Sequence, residues 1–201
     1  MNARSVPILL TGFGPFPGVP VNESTRLVIS LTKAAQQTFT SHHFVSEILR
    51  TEWSEAPGRT AELLREHRPA LALHFGVARG CGGFRIETKG VNACNATADA
   101  ASNFAHSVYV VNEGPAAIPV TVNATAIAAH LAARGFNSAV SDDAGDYLCN
   151  AVLYQSLAAA ALMKPRPRVG FIHIPVDLTA PPLTFDVALA GALEILAFCL
   201  K

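Results

Sequence analysis

The chain has 201 residues, half of them apolar and 15% charged, with fifteen basic and fifteen acidic side chains in balance. That length and composition fit one hydrophobic core, expected as a single domain over residues 1–201, and exclude a disordered chain. The balance offers no basic excess for nucleic acid or an anionic lipid surface, and no apolar run is long enough to span a bilayer.

The start, "MNARSVPILLTGFGPF", lacks the long apolar region and small-residue cleavage site of a signal peptide, so it reads as mature protein. "SVPILLTGFG" predicts a short buried strand running into a glycine turn. "NESTRLVISLTKAAQQ" has helical spacing, with Leu27, Val28, Leu31 and Ala34 or Ala35 on one face. Asn22 is its N-cap and Glu23 an acidic residue suited to the first turn. "HHFVSEILR" predicts a strand, and "SEAPGRTAELLREHRP" a helix interrupted early by Pro57 and Gly58. "ALALHFG" is a second apolar strand ending in glycine. From Gly76 to about Thr125 the chain is small, polar and rich in Gly, Asn and Ala, which predicts irregular hairpins with β-like pieces at "FRIETKGVN" and "SVYVV". "NATAIAAHLAARG" is a helix stopped by Gly135. A strand "NSAVS", a long helix "GDYLCNAVLYQSLAAAALM", a strand "RVGFIHIPV" and a closing helix "TFDVALAGALEILAFCL" complete the chain. This alternation predicts an α/β/α sandwich with a mainly parallel, twisted central sheet, whose strand carboxyl ends gather ligands.

The four cysteines, Cys81, Cys94, Cys149 and Cys199, form no C-x-x-C pair and no zinc-ligand spacing. The expectation is a cytoplasmic protein with free thiols, no metal and no cofactor. The loop "TGFGPFPG" follows a strand, but Pro15 and Pro17 remove backbone donors and no Lys-Ser/Thr pair follows, so it is not a phosphate loop. It offers Phe13 and Phe16 as flat faces for a small, neutral, planar ligand; the competing reading is that both rings are core. In "SDDAGDYLCN" a helix beginning near Asp146 puts Cys149 in its first turn. A helix N-terminus can lower a thiol pKa from about 8.5 to about 3.5–7.5 and offers free backbone donors to an oxyanion. Buried packing of a lone thiol is the alternative. A cysteine nucleophile needs a base. Of seven histidines, His42, His43, His67 and His130 lie in polar or helical-surface contexts and His106 in the loop region, leaving His74 and His173 in apolar strands. Glu87, in an apolar β-like stretch, is a candidate to orient the imidazole; pairing with Arg85 or Lys89, on the same strand parity, competes.

Read together, "LLTGFGPFPGVPVNES", "HFGVARGCGGFRIETKGVN", "SDDAGDYLCN" and "GFIHIP" resemble, in order, segments of pyroglutamyl peptidase I, a family of cytosolic cysteine peptidases. The resemblance implies that Cys149 attacks, His173 is the base and Glu87 orients His173, releasing an N-terminal pyroglutamyl residue from a peptide through an acyl-enzyme. It sets Phe13, Phe16, Asn22, Val77 and Tyr147 among the substrate-contacting positions, with Ala144-Gly145 giving clearance for the scissile carbonyl. It implies no cofactor, pyroglutamylated peptides as partners, and either a monomer or a homo-oligomer, tetrameric in bacterial-type relatives. The chain departs from many members at Pro17, Glu23, Val77 and Thr88, and it lacks an arginine that bacterial members often show shortly after Asn92. Two alternatives therefore stand beside the peptidase: an amidase of the same fold with altered specificity, and a catalytically quiet binder of pyroglutamyl peptides. The roles of Asp142, Asp143 and Asp146 stay open.

Overall fold

A computed structural model describes residues 6–201. In chain order the elements are β1 (Pro7–Phe13), α1 (Glu23–Thr38), β2 (His43–Leu49), α2 (Ala56–His67), β3 (Leu71–Ala78), β4 (Phe84–Glu87), β5 (Lys89–Val91) and β6 (Ala117–Pro119), then α3 (Ala124–Ala133), β7 (Ser138–Ser141), α4 (Leu148–Ala161), β8 (Arg168–Pro175) and α5 (Phe185–Cys199). The central sheet has the order β2-β1-β3-β8-β4-β7, and β5 pairs separately with β6. β2, β1, β3 and β8 run parallel, as the strand–helix alternation predicts. β4 runs antiparallel to β8, and β7 follows β4 in parallel.

Strand periodicity sorts the side chains into two cores. Ile8, Leu10, Leu73, Phe75, Ile86 and Ile172 face α1, α3 and α5. Leu9, Phe13, Ala72, Val169 and Phe171 face α2 and α4. By the same parity His74, Gly76, Arg85, Glu87 and His173 belong to the α2/α4 side, so the polar residues share one layer of the sandwich.

The helix ends follow their local chemistry. Asn22 caps α1, its side chain accepting from the Ser24 N–H, and Asn123 caps α3 by accepting from the Ala126 N–H. Gly135, with φ of 82°, stands just beyond α3 in the left-handed region that suits glycine. On the apolar face of α1 Ala35 is buried and Ala34 half-buried. The predicted break at Pro57 does not occur. Pro57 sits in the first turn of α2, where a missing N–H has no helical acceptor to satisfy.

Two further expectations are corrected. β3 runs past Gly76 to Ala78. "SVYVV", expected to be β-like, forms bends without strand pairing, whereas "FRIETKGVN" is β-structure as expected, divided into β4, a strand of the central sheet, and β5. That loop is latched from below by Asn92, whose Oδ1 accepts from Val111 N–H (2.9 Å) while Nδ2 donates to Val111 O (2.8 Å) and Gly114 O (3.2 Å).

Candidate active site

α4 begins at Leu148, two residues after the expected start, so Cys149 is its second residue and lies in the first turn. Tyr147, the N-cap, makes no side-chain capping bond. The leading N–H groups of the helix therefore lack both an intrahelical acceptor and a cap, and the positive end of the macrodipole lies at the cysteine. The turn is pinned by Asn150, fully buried, whose Oδ1 accepts from Val91 N–H (2.8 Å) and whose Nδ2 donates to Val91 O (2.8 Å) and Ala93 O (3.0 Å). Asn150 is not among the residues expected from the sequence, although an amide inside an otherwise apolar helix is a visible signal.

Beneath the cysteine, Gly76 on β3 is the register partner of His173 on β8. A Cβ at Gly76 would lie 2.9 Å from Cys149 Sγ, so the sulfur occupies the space that a side chain there would fill. His173 is 4% exposed, and its Nδ1 bonds Glu87 Oε1 at 2.8 Å. Burial pulls the imidazole pKa down, but the charge of the nearby Cys149 sulfur and the hydrogen-bonded Glu87 carboxylate outweigh it and hold the pKa at about 9. Glu87 is fully buried, and its Oε2 has no hydrogen-bond partner in the structure. The competing pairings of Glu87 do not form: Lys89 turns to Asp142 at 3.7 Å, and the Glu87 ion pair is with His173.

The other strand histidine has a different fate. His74 is fully buried, with Nδ1 bonded to Thr11 Oγ1 at 2.8 Å and Nε2 to Ser156 Oγ at 2.9 Å. Burial alone drives its pKa down to about 3, so it is a neutral core side chain.

Cys149 and His173 open into a cavity of about 290 Å³, which Phe13, Phe16, Asn22, Val77 and Tyr147 also line. Phe13 is both floor and core, 2% exposed and 6.2 Å from the Phe171 ring centroid, whereas Phe16 is half-buried. Tyr147 stands between Phe16 and Trp53, at centroid distances of 6.0 and 5.2 Å, and its hydroxyl donates to Ala98 O at 3.1 Å. Burial first, then the nearby Asp99 and Cys149, push the Tyr147 phenol up to about 12. The phenylalanine turn is tied down by Asn22 Nδ2 and Thr51 Oγ1, both donating to Gly14 O, and by Thr25 Oγ1 donating to Phe13 O. Asn22 thus caps α1 and shapes the cavity wall together. Thr51 and Arg85 in the lining, and Trp53 packed against Tyr147 behind it, were not anticipated; nothing in their local sequence marks them, because long-range packing brings them here. Ala144 and Gly145 line the mouth, Gly145 with φ of 77°. Among the described residues Asp143 is the one carboxylate in the lining; it is exposed, and its Oδ1 accepts from Gly145 N–H at 2.9 Å. Asp146 accepts from Asn95 Nδ2 at 2.7 Å. Among the described residues no group of three or more His, Cys, Asp or Glu side chains is placed to hold a metal ion.

A buried carboxylate, an imidazole and a thiol at a helix N-terminus can perform nucleophilic acyl transfer. Residues 6–186 match the family model described as pyroglutamyl peptidase. A pyrrolidone-carboxylate peptidase of Bacillus cereus (strain Q1) is 31% identical over 169 residues, which are 84% of this chain and 77% of that protein. Pyrrolidone-carboxylate peptidase 1 of Ralstonia nicotianae is 35% identical with the same coverage of 84% and 77%. The crystal structure of pyroglutamyl peptidase I from Bacillus amyloliquefaciens superposes with a TM-score of 0.82 at 30% identity, covering 95% of this chain and 94% of that one. A mutant pyrrolidone carboxyl peptidase from Pyrococcus furiosus gives 0.87 at 27% identity, covering 96% and 98%.

Proposed function

The chain belongs to the pyroglutamyl peptidase family, and from that premise we propose that it hydrolyses the N-terminal pyroglutamyl residue from peptides with Cys149 as nucleophile, His173 as general base and acid, and Glu87 as the group that orients His173. Glu87 occupies Nδ1 of the imidazole, which leaves Nε2 to take the thiol proton. Sulfur then attacks the pyroglutamyl carbonyl, and the developing oxyanion faces the uncapped N–H groups of the first turn of α4. His173 returns the proton to the departing amine as the C–N bond breaks, giving a thioester. A water deprotonated by His173 cleaves that thioester and releases pyroglutamate.

Substrate choice follows from the wall chemistry. Phe13, Phe16 and Tyr147 suit a small flat lactam, with Asn22 and Val77 beside it. A free α-ammonium would lose its hydration against these rings, which favours a blocked, neutral N-terminus. Among the described residues no helix is long and apolar enough to cross a membrane. Free thiols at Cys81, Cys94, Cys149 and Cys199 suit a reducing compartment, and a cytoplasmic setting is part of the proposal.

The observation that carries the reading is the alignment of Glu87, His173 and Cys149 at one helix N-terminus inside a cavity walled by aromatic rings. The test is hydrolysis of pyroglutamyl-7-amido-4-methylcoumarin by folded, reduced protein, with prolyl and acetyl coumarylamides alongside. Release from the pyroglutamyl amide is expected. No turnover of it would refute the reading, and equal or faster release from the other amides would replace it with an amidase of altered specificity.

A further inference from the structure

The cavity reaches past the catalytic pair to a cation. Arg85 lines it from β4, half-buried, directly opposite His173 in the antiparallel register. Opposed residues in such a pair point to the same face, so the Arg85 side chain emerges beside His173 on the α2/α4 side. The carboxylates around it are engaged elsewhere: Glu87 with His173, Asp142 with Lys89, and one oxygen of Asp143 with the Gly145 amide. Among the described residues Arg85 makes no ion pair or hydrogen bond through its guanidinium, although it sits at a site shaped to take a peptide. Among the described residues the one other cation in the lining, Arg79, is exposed and donates to Gly18 O at 3.2 Å.

Strand order gives this position a direction. Along the mouth, the α2/α4 face presents Phe13 on β1, then Gly76 on β3 with Cys149 above it, then His173 on β8, then Arg85 on β4. The aromatic rings lie on the β1 side of the nucleophile, so the acyl half of the substrate lies there. His173 must face the nitrogen that leaves. The leaving half of the peptide therefore extends from His173 toward β4, where Arg85 stands.

Resting on the peptidase reading above, we infer that Arg85 is a specificity-determining residue for the leaving half of the substrate, favouring pyroglutamyl peptides that carry a carboxylate one residue beyond the scissile bond. Two sources supply that chemistry: an acidic side chain on the second residue, or the free α-carboxylate of a pyroglutamyl dipeptide. A guanidinium offers a planar, two-pronged set of donors to either. Half-burial reduces the solvent screening that makes fully exposed pairs weak.

The experiment compares kcat/KM within two matched pairs: pyroglutamyl-glutamate amide against pyroglutamyl-glutamine amide, and pyroglutamyl-alanine against its C-terminal amide. The protein is expected to prefer the charged member of at least one pair by roughly five- to tenfold, and the pair that responds identifies the source. The preference should collapse toward unity in Arg85→Gln, reverse in Arg85→Glu, persist in Arg85→Lys and Arg79→Gln, and shrink in molar salt. Turnover of the neutral member by each variant reports that the variant is folded. A wild-type protein that ignores charge in both pairs would overturn the inference, as would a preference kept by Arg85→Gln or removed by Arg79→Gln. Absence of turnover on all four peptides and on the coumarylamide would overturn the peptidase reading as well.

Discussion

Replacing Gly76 by alanine tests the site at its tightest point. The added Cβ would lie 2.8 Å from Phe171 Cζ, 2.9 Å from Cys149 Sγ and 3.1 Å from Phe171 Cε1. Carbon contacts settle near about 3.5–4.0 Å, so the methyl overlaps both neighbours by more than about half an ångström. Gly76 lies within β3, and the effect is steric. The Phe171 ring cannot retreat easily, being fully buried and packed at 6.2 Å from Phe13 and 4.8 Å from His173. The sulfur, half-exposed at the cavity, yields instead. Overpacking of this kind costs about 1–3 kcal/mol of stability, a fall in Tm of roughly 2–12 °C for a chain of this size. A displacement of order 1 Å at a reacting atom costs about 100-fold in rate. Gly76→Ala is therefore expected to stay folded at 25 °C while kcat/KM on the pyroglutamyl coumarylamide falls about 100-fold. Alkylation of Cys149 by iodoacetamide should slow with it. A variant with wild-type kcat/KM, whatever its Tm, would refute the placement of the nucleophile above Gly76.

Cys149→Ala should remove turnover by at least about 10³-fold, as loss of a nucleophile that acts in concert with its base does, while Cys81→Ala, Cys94→Ala and Cys199→Ala should each stay within a few-fold of wild type in the same assay. With its pKa held at about 9 by the charged Cys149 sulfur, His173 keeps at neutral pH the proton taken from the thiol and has it ready for the departing amine, which places the alkaline limb of kcat/KM near pH 9. Removing the sulfur in Cys149→Ala should lower that pKa in an NMR titration of the imidazole. The same shift links to stability: a folded pKa above the ordinary value of about 6.5 contributes fully below pH 6.5 and is lost as pH rises through about 9, so urea midpoints should decline across that interval and decline less in Cys149→Ala. Asn150→Ala removes the partners of Val91 N–H and Ala93 O and one of the two partners of Val91 O, all half-buried, and each lost hydrogen bond costs about 0.5–1.5 kcal/mol. Its urea midpoint should fall accordingly, and a midpoint equal to wild type would show that the first turn of α4 is not held by this amide.

Much of the fold was legible because its signals are local. The cap at Asn22 and the glycine stop at Gly135 are chemical requirements of one or two residues. The turn that carries Cys149, the proposed nucleophile, was legible for the same reason, since Cys149 lies one residue inside the helix start. Which histidine it would work with was not. His74 and His173 both sit in apolar strands, and only tertiary packing shows that His74 lies under α4 against Thr11 and Ser156 while His173 reaches the mouth. Trp53 and Arg85 join the site from α2's approach and from β4 for the same long-range reason. The break expected at Pro57 failed because a proline's effect depends on its place in the helix, and the helix start there has no capping residue to announce it.

The direction of β4 decides how the site divides labour, and alternation of strands and helices carried no information about it. Arg85 and Glu87 are two residues apart on one face, so some pair of neighbouring depths must receive them. Because β4 runs antiparallel to β8, Arg85 lies level with His173 and Ile86 with Ile172, so Glu87 falls one step further from the mouth. The carboxylate thus sits behind the imidazole with no solvent exposure, where its bond to Nδ1 is not weakened by water. The guanidinium stays at the opening, where charge can meet substrate. A parallel β4 pivoted on the Ile86–Ile172 pair would exchange the two: the carboxylate would stand level with His173, and the arginine would lie deeper. Reversal of one short strand thereby sets the carboxylate proposed to orient the imidazole away from water and the cation on the side proposed for the departing chain.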